Sequence, residues 1–227
     1  MLMPLPESSE LLFNGFKSKL RSQIRKAEKN GLRFVRASDI SLLDDFYDVF
    51  SHNMRALGSP VHAKSLFIEL FKQYKNDMLI SVVYHDDVAI GAGIVLKSET
   101  KASIPWASTK AEFNRLSPNM MLYWSLLEYL SDNGIKEFDF GRSSFGEGTF
   151  KFKQQWGASP SPLTWQTYTM GDDEKFALHG DDDSSKNQSA APSNQSKLRN
   201  TVENVWRKLP VPITVFLGPK IRKYISL

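Results

Sequence analysis

The chain has 227 residues, 41% hydrophobic, 24% charged and 12% aromatic, a globular composition fitting one sizeable domain with appendages. It holds no cysteine, which excludes disulfides, thiolate catalysis and zinc–thiolate sites within it and is compatible with a reducing compartment. The net charge of +4 is uneven: Phe16 to Ala37 has eight Lys/Arg against one Glu, Lys197 to Leu227 seven against one, and Ser38 to Ser196 a net of −7. Such basic ends either meet phosphates or an anionic membrane surface, or are solvated helix faces.

MLMPLPESSELLF lacks the basic n-region and apolar run of a signal peptide. No stretch reaches the roughly 18 to 20 apolar residues of a membrane span. The expectation is a soluble, cytoplasmic chain, peripheral to the inner membrane if its tail touches lipid. Residues 16–30, FKSKLRSQIRKAEKN, read as a helix closed by Gly31. Its narrow stripe of Leu20, Ile24 and Ala27 leaves it largely solvated or laid along a partner. LRFVRA (32–37) reads as a strand.

Apolar spacing then predicts helices over 39–57 and 63–74, separated by the breaker GSP at 58–60. Strands over 78–85, 88–98 and 101–108 follow, joined by turns at Asp86-Asp87 and Glu99-Thr100. Next comes a buried helix, apolar nearly all round, with Ser117 as N-cap, Pro118 as first residue and Gly134 as stop. A strand over 136–143, a helix over 148–156 with Thr149 as N-cap, and a closing strand over 163–170 complete the order. This is an α/β (α+β) pattern with a mostly antiparallel mixed sheet flanked by helices.

Residues 171–197 are polar and read as a disordered linker. His179 beside Asp181, Asp182 and Asp183 is read as ordinary linker composition, not a metal site. The tail from 198 to 227 regains hydrophobicity. Val202, Val205, Trp206 and Leu209 suggest an amphipathic helix stopped by Pro210, followed by a second apolar-basic piece. The tail either docks on the domain or lies on a membrane surface.

FDFGRSSFGEGTFKFKQQWG (138–157) carries the chemistry. Asp139 and Gly141 share one strand face, and a buried Asp139 needs Arg142 or backbone donors as partners. It is either a structural or a catalytic carboxylate. SSFGEG before a helix N-terminus is a weak anion cradle and reads better as a flexible turn. With Phe150 at 0° and about 100° per residue, Phe152 falls at about 200°, Trp156 at about 240° and Lys153 at about 300°. Lys151, at about 100°, sits instead among Gln154 and Gln155. Lys151 is therefore the solvated charge. Lys153 either snorkels from the aromatic arc or is held in a site, where burial lowers its pKa and its charge can meet an oxyanion.

These residues resemble the final active-site segment of FemAB-like acyltransferases, especially those found near exosortase and exopolysaccharide systems. LRSQIRKAEKNGL (20–32), MRALGSP (54–60) and WRKLPVP near the end extend the likeness over nearly the whole chain apart from the linker. The resemblance implies a GNAT-type fold and transfer of an acyl or aminoacyl group to an amine. In peptidoglycan-branching relatives the donor is an aminoacyl-tRNA and the acceptor a cell-wall precursor amine. It also implies Lys153, in the pair Phe152-Lys153, as oxyanion stabiliser and Asp139 and Arg142 as site-framing residues; Asp139 is expected to be catalytic beside Lys153. Arg142, Ser143, Phe152 and Trp156 are expected to bind substrate, and the resemblance implies Asn53, Arg55 and His62 as further substrate contacts from the loop after the first long helix.

Two departures stand out. Such proteins usually have two GNAT-like domains joined by the RKAEK helix, which here lies near the N-terminus, so a first domain is expected to be missing or on another chain. The acetyl-CoA pyrophosphate loop, Q/R-x-x-G-x-G/A, is replaced by STKAEFNRLSPN. The expected organisation is a basic helical segment (1–31), a GNAT-like domain (32–170), the linker (171–197) and the tail (198–227). The leading expectation is acyl or aminoacyl transfer onto a cell-envelope or polysaccharide-related amine, with acyl-CoA or aminoacyl-tRNA as donor and no metal. The alternatives are a non-catalytic GNAT module binding tRNA, other RNA or an anionic membrane, and an acetyl-CoA-dependent N-acetyltransferase.

Overall fold

A computed structural model describes residues 1–164 and 201–224, with the backbone of 167–169, 177–179 and 194–200. The architecture is a six-stranded mixed sheet with helices on both faces. In chain order its first part is β1 (Leu2–Pro4), α1 (Ser9–Gly15), α2 (Ser18–Lys29), β2 (Leu32–Ala37), α3 (Leu43–Leu57) and α4 (Lys64–Tyr74). The meander β3 (Met78–His85), β4 (Val88–Lys97) and β5 (Lys101–Thr109) follows, then α5 (Pro118–Asp132), β6 (Glu137–Asp139) and α6 (Gly148–Gln155). β7 (Thr167–Thr169), β8 (Ala177–His179), α7 (Asn194–Lys208) and α8 (Val211–Arg222) end the order.

The strands run β1-β6-β5-β4-β3-β2, antiparallel except for the parallel β5–β6 pair. β3 shows why the sequence folds this way. Every position but the last is buried, because both faces are covered. Leu79 and Val83 enter the core shared with α1, α2 and α5, while Ile80, Val82 and Met78 enter the one shared with α3 and α4. Such strands read as continuous apolar runs, not alternating ones. The β3–β4 hairpin turns at Asp86-Asp87, with Asp86 at φ 53°, a conformation aspartate tolerates better than most residues.

The N-terminal stretch builds into this frame. β1 pairs with β6, and Leu12, Phe16, Leu20, Ile24 and Ala27 join the core beside α5. The narrow stripe of α2 thus finds its partner within the chain. α7 and α8 pack on α3, burying Trp206 and Thr214.

Several local expectations need correction. The first long helix begins at Leu43, after a 3₁₀ turn over Ile40–Leu42. Ser117 takes a left-handed conformation (φ 65°) and makes no side-chain cap. Glu147, not Thr149, occupies the N-cap of α6. β6 stops at Asp139, because Gly141 at φ 77° turns the chain away. The expected closing strand does not close the main sheet; β7 pairs with β8 in a separate two-stranded sheet. Part of the expected linker is therefore strand, and α7 begins inside it. The rest of that linker, with the side chains of His179, Asp181, Asp182 and Asp183, lies outside the described residues. Among the described residues, no helix is long and apolar enough to cross a membrane.

Candidate active site

The parallel pair holds its register only at Lys101↔Glu137, Ala102↔Phe138 and Ser103↔Asp139. Beyond Ser103, β5 continues to Thr109 paired with β4 alone among the described residues. The two strands thus part, and β5 is left with an open edge of backbone donors and acceptors. The Gly141 turn and α6 lie at this parting.

Asp139 is half-exposed, not buried. Its Oδ1 accepts a hydrogen bond from the Gly141 N–H at 2.8 Å and lies 3.6 Å from the Met1 amino group. The backbone, where Arg142 was the other expected partner, supplies the donor. Asp139, Gly141, Arg142, Ser143, Thr149 and Phe150 line a groove of about 800 Å³. The Ser143 hydroxyl is buried and has no hydrogen-bond partner among the described residues.

Lys153 sits behind this wall and is only 8% exposed. Its Nζ donates to the carbonyl of Arg142 at 2.8 Å and of Gly141 at 3.2 Å. An ammonium has three N–H donors, and the third has no partner among the described residues. Burial pushes its pKa below the ordinary 10.5, with the Asp139 charge pulling the other way. Lys151, two residues earlier, is exposed.

Aromatic packing holds α6 in this position. Trp156, 1% exposed, meets the Phe16 ring edge-on at 5.5 Å, and Phe152 meets Tyr123 at 5.1 Å. Burial pushes the Tyr123 phenol up to about 12, so it stays neutral and serves the core. Phe152 and Trp156 therefore face the core, away from the groove.

The three residues expected from the α3–α4 region go elsewhere. The Asn53 amide donates to the Ser108 hydroxyl of β5 at 3.1 Å. Arg55 reaches the Leu209 carbonyl in the tail at 3.5 Å, and its Nε has no partner among the described residues. His62 stacks on Phe50, its carbonyl accepts from Tyr47, and burial followed by the Arg222 charge lowers its pKa.

The sequence reading missed two features. Phe145, 85% exposed, stands at the rim of the groove; a large aromatic between glycines in a turn was its signal. Lys110, 8% exposed, pairs with Asp48 at 2.7 Å, and His52 lies 3.3 Å from the same carboxylate. Nothing local in the sequence announces that pair, because it joins β5's end to α3. Among the described residues no group of three or more metal-ligating side chains is gathered.

The model of a domain family described as acetyltransferase (GNAT) domain matches residues 14–154, more than half of the chain. The protein belongs to the GNAT acetyltransferase-domain family. No curated protein matches the chain significantly. Among solved structures this GNAT domain is similar to FemX, with a TM-score of 0.61 and 16% identity over 69% of this chain and 57% of that one. It is also similar to the C-terminal domain of a lysylphosphatidylglycerol synthetase from Agrobacterium fabrum (TM-score 0.52, 15% identity, 70% of this chain and 56% of that one). L-PGS from Bacillus licheniformis gives 0.50 at 13% identity, over 65% and 55% of the two chains. The chain thus spans little more than half the length of these proteins. The likeness establishes a shared fold.

Proposed function

We propose that this GNAT domain is an acyl- or aminoacyltransferase, moving an acyl group onto an amine of a cell-envelope or polysaccharide-related precursor. The observation that carries the proposal is the buried Lys153 ammonium, clamped by two carbonyls where β5 and β6 part. In this reading the acceptor amine attacks the donor carbonyl carbon, and the carbonyl electrons move onto oxygen. The remaining Lys153 N–H stabilises that oxyanion, a charge-focused interaction that strengthens in a water-poor site. Asp139 takes the proton from the attacking nitrogen. Collapse then forms the amide and expels the donor's thiolate or ribose oxygen, which takes up the proton held by Asp139. Positioning in the groove, without a nucleophilic residue, supplies much of the rate.

The region after β5 supports an aminoacyl-tRNA donor over acetyl-CoA. Ala111–Leu116 forms a 3₁₀ turn whose Phe113 and Leu116 pack on the core. This closed turn takes the place of the glycine-rich pyrophosphate loop that the family resemblance would supply for acetyl-CoA. The outward face of α2 adds Arg21, Arg25, Lys26 and Lys29 around a shallow groove of about 570 Å³. None of the four has a carboxylate partner among the described residues, and such a face suits a phosphate backbone.

The test is incubation with an aminoacyl-tRNA or an acetyl-CoA, together with amine-bearing cell-wall and sugar-nucleotide precursors. Thermal unfolding is followed alongside product mass. An aminoacyl-tRNA is expected to raise the melting temperature and to yield an amide-linked product. If neither donor does either, the proposal fails. RNA binding by α2 without any product, unaffected by Lys153→Ala and steeply weakened by salt, would instead favour a non-catalytic binding module.

A further inference from the structure

α8 is committed on one face and bare on the other. Thr214 and Gly218 face the domain, and a Cβ placed on Gly218 would come within 2.8 Å of Val61. The helix backbone therefore rests directly on the α3–α4 connection. At about 100° per residue, Phe216, Lys220 and Ile213 share the opposite side, and Tyr224 follows in the turn just past the helix end. Phe216 is 65% exposed and Tyr224 80%. Lys220 Nζ lies 3.9 Å from the Phe216 ring centroid and Lys223 Nζ 4.8 Å from that of Tyr224.

From Asn204 to Tyr224 there are five Lys/Arg and no Asp or Glu. This charge decides between occupants. A second copy would bring like charges together across the contact, and protein interfaces deplete lysine at their core. The phosphate backbone of a nucleic acid would meet the cations but gives the aliphatic Ile213 no apolar layer to enter. A bilayer with anionic headgroups matches both: aromatic and aliphatic side chains enter the headgroup boundary while lysines snorkel to phosphate. The 12 residues of α8 span roughly 18 Å, short of the ~30 Å hydrocarbon core. The helix can lie on a membrane but not cross it.

We propose that the outward face of α8 binds the surface of an anionic membrane while its inward face stays docked on the domain. α2 packs on the other side of the sheet, so its basic face stays turned to solution in that pose. Membrane contact and tRNA contact then use separate surfaces.

The test is co-sedimentation of the full chain with vesicles of phosphatidylcholine mixed with phosphatidylglycerol, and with pure phosphatidylcholine. Binding is expected only to the mixed vesicles. Phe216→Ser should weaken it about tenfold or more, and Lys220→Glu by about fivefold or more. Both residues are exposed, so circular dichroism and thermal unfolding should match the parent chain. The triple change Arg21→Ala, Arg25→Ala, Lys29→Ala should leave vesicle binding unchanged. Equal binding to both vesicle types would overturn the proposal, as would no binding, or binding that survives the α8 changes. A dimer that Phe216→Ser disperses, without vesicle binding, would assign the face to a second copy and also overturn it.

Discussion

The segment running from β6 through α6 and the segment running from α3 into α4 both carry residues expected at the site, and the fold uses them differently. In the first, Asp139, Arg142 and Ser143 line one groove, with Lys153 held against its wall by the Gly141 and Arg142 carbonyls. In the second, Asn53 turns to β5, whereas Arg55 and His62 lie beside the tail. The first group converges because 15 residues of chain, one glycine turn and one short helix fix its geometry. The second diverges because its partners lie far along the chain, that of Arg55 being 154 positions away. A motif's compactness in sequence is thus a guide to whether its residues meet in space.

The largest stability effect expected on the α3–α4 side comes from Gly218→Ala. The added Cβ meets Val61 side chain and backbone, so α8 must shift, at a cost of about 1–3 kcal/mol as in other overpacked sites. Chemical denaturation should register the loss, and Trp206 fluorescence should shift red as its burial loosens. Transfer activity below the melting temperature should be unchanged, because among the described residues α8 packs on α3 and not on the β6–α6 segment that lines the groove. A loss of turnover matching a fully folded variant would show that the two regions are coupled.

A smaller effect sharpens the α6 side. Burial lowers the folded-state pKa of Lys153 below 10.5, so between that lowered value and 10.5 the unfolded chain binds more protons than the folded one. Stability from this group therefore rises with pH across that window and is lost as pH falls through the folded pKa. Turnover should move in the opposite direction there, since the oxyanion needs the ammonium. Lys153→Met should abolish the stability slope. Parallel slopes for stability and turnover would separate Lys153 from the chemistry.

Much of the fold is legible in the sequence where burial leaves a continuous trace. The apolar run of β3, the Asp86-Asp87 turn and the all-round apolar α5 are of this kind. β1 is not, because three residues including a proline show no period, and its place depends on pairing with β6 more than 130 residues on. The Thr149 and Ser117 cap expectations failed since side-chain type alone does not set the backbone angles that capping needs. At the site, helical geometry separated Lys153 from Lys151, and the structure buries the first while exposing the second. The carbonyl clamp was not legible. It depends on Gly141's positive φ, and glycine is compatible with either sign.

The most direct measurement of the central claim is turnover of Lys153→Ala and Lys151→Ala on the same donor and acceptor, each checked for native unfolding. Loss of one oxyanion donor predicts that Lys153→Ala falls by roughly 10²–10³ while Lys151→Ala stays at the parent rate. Equal effects of the two, or an undiminished Lys153→Ala, would contradict it.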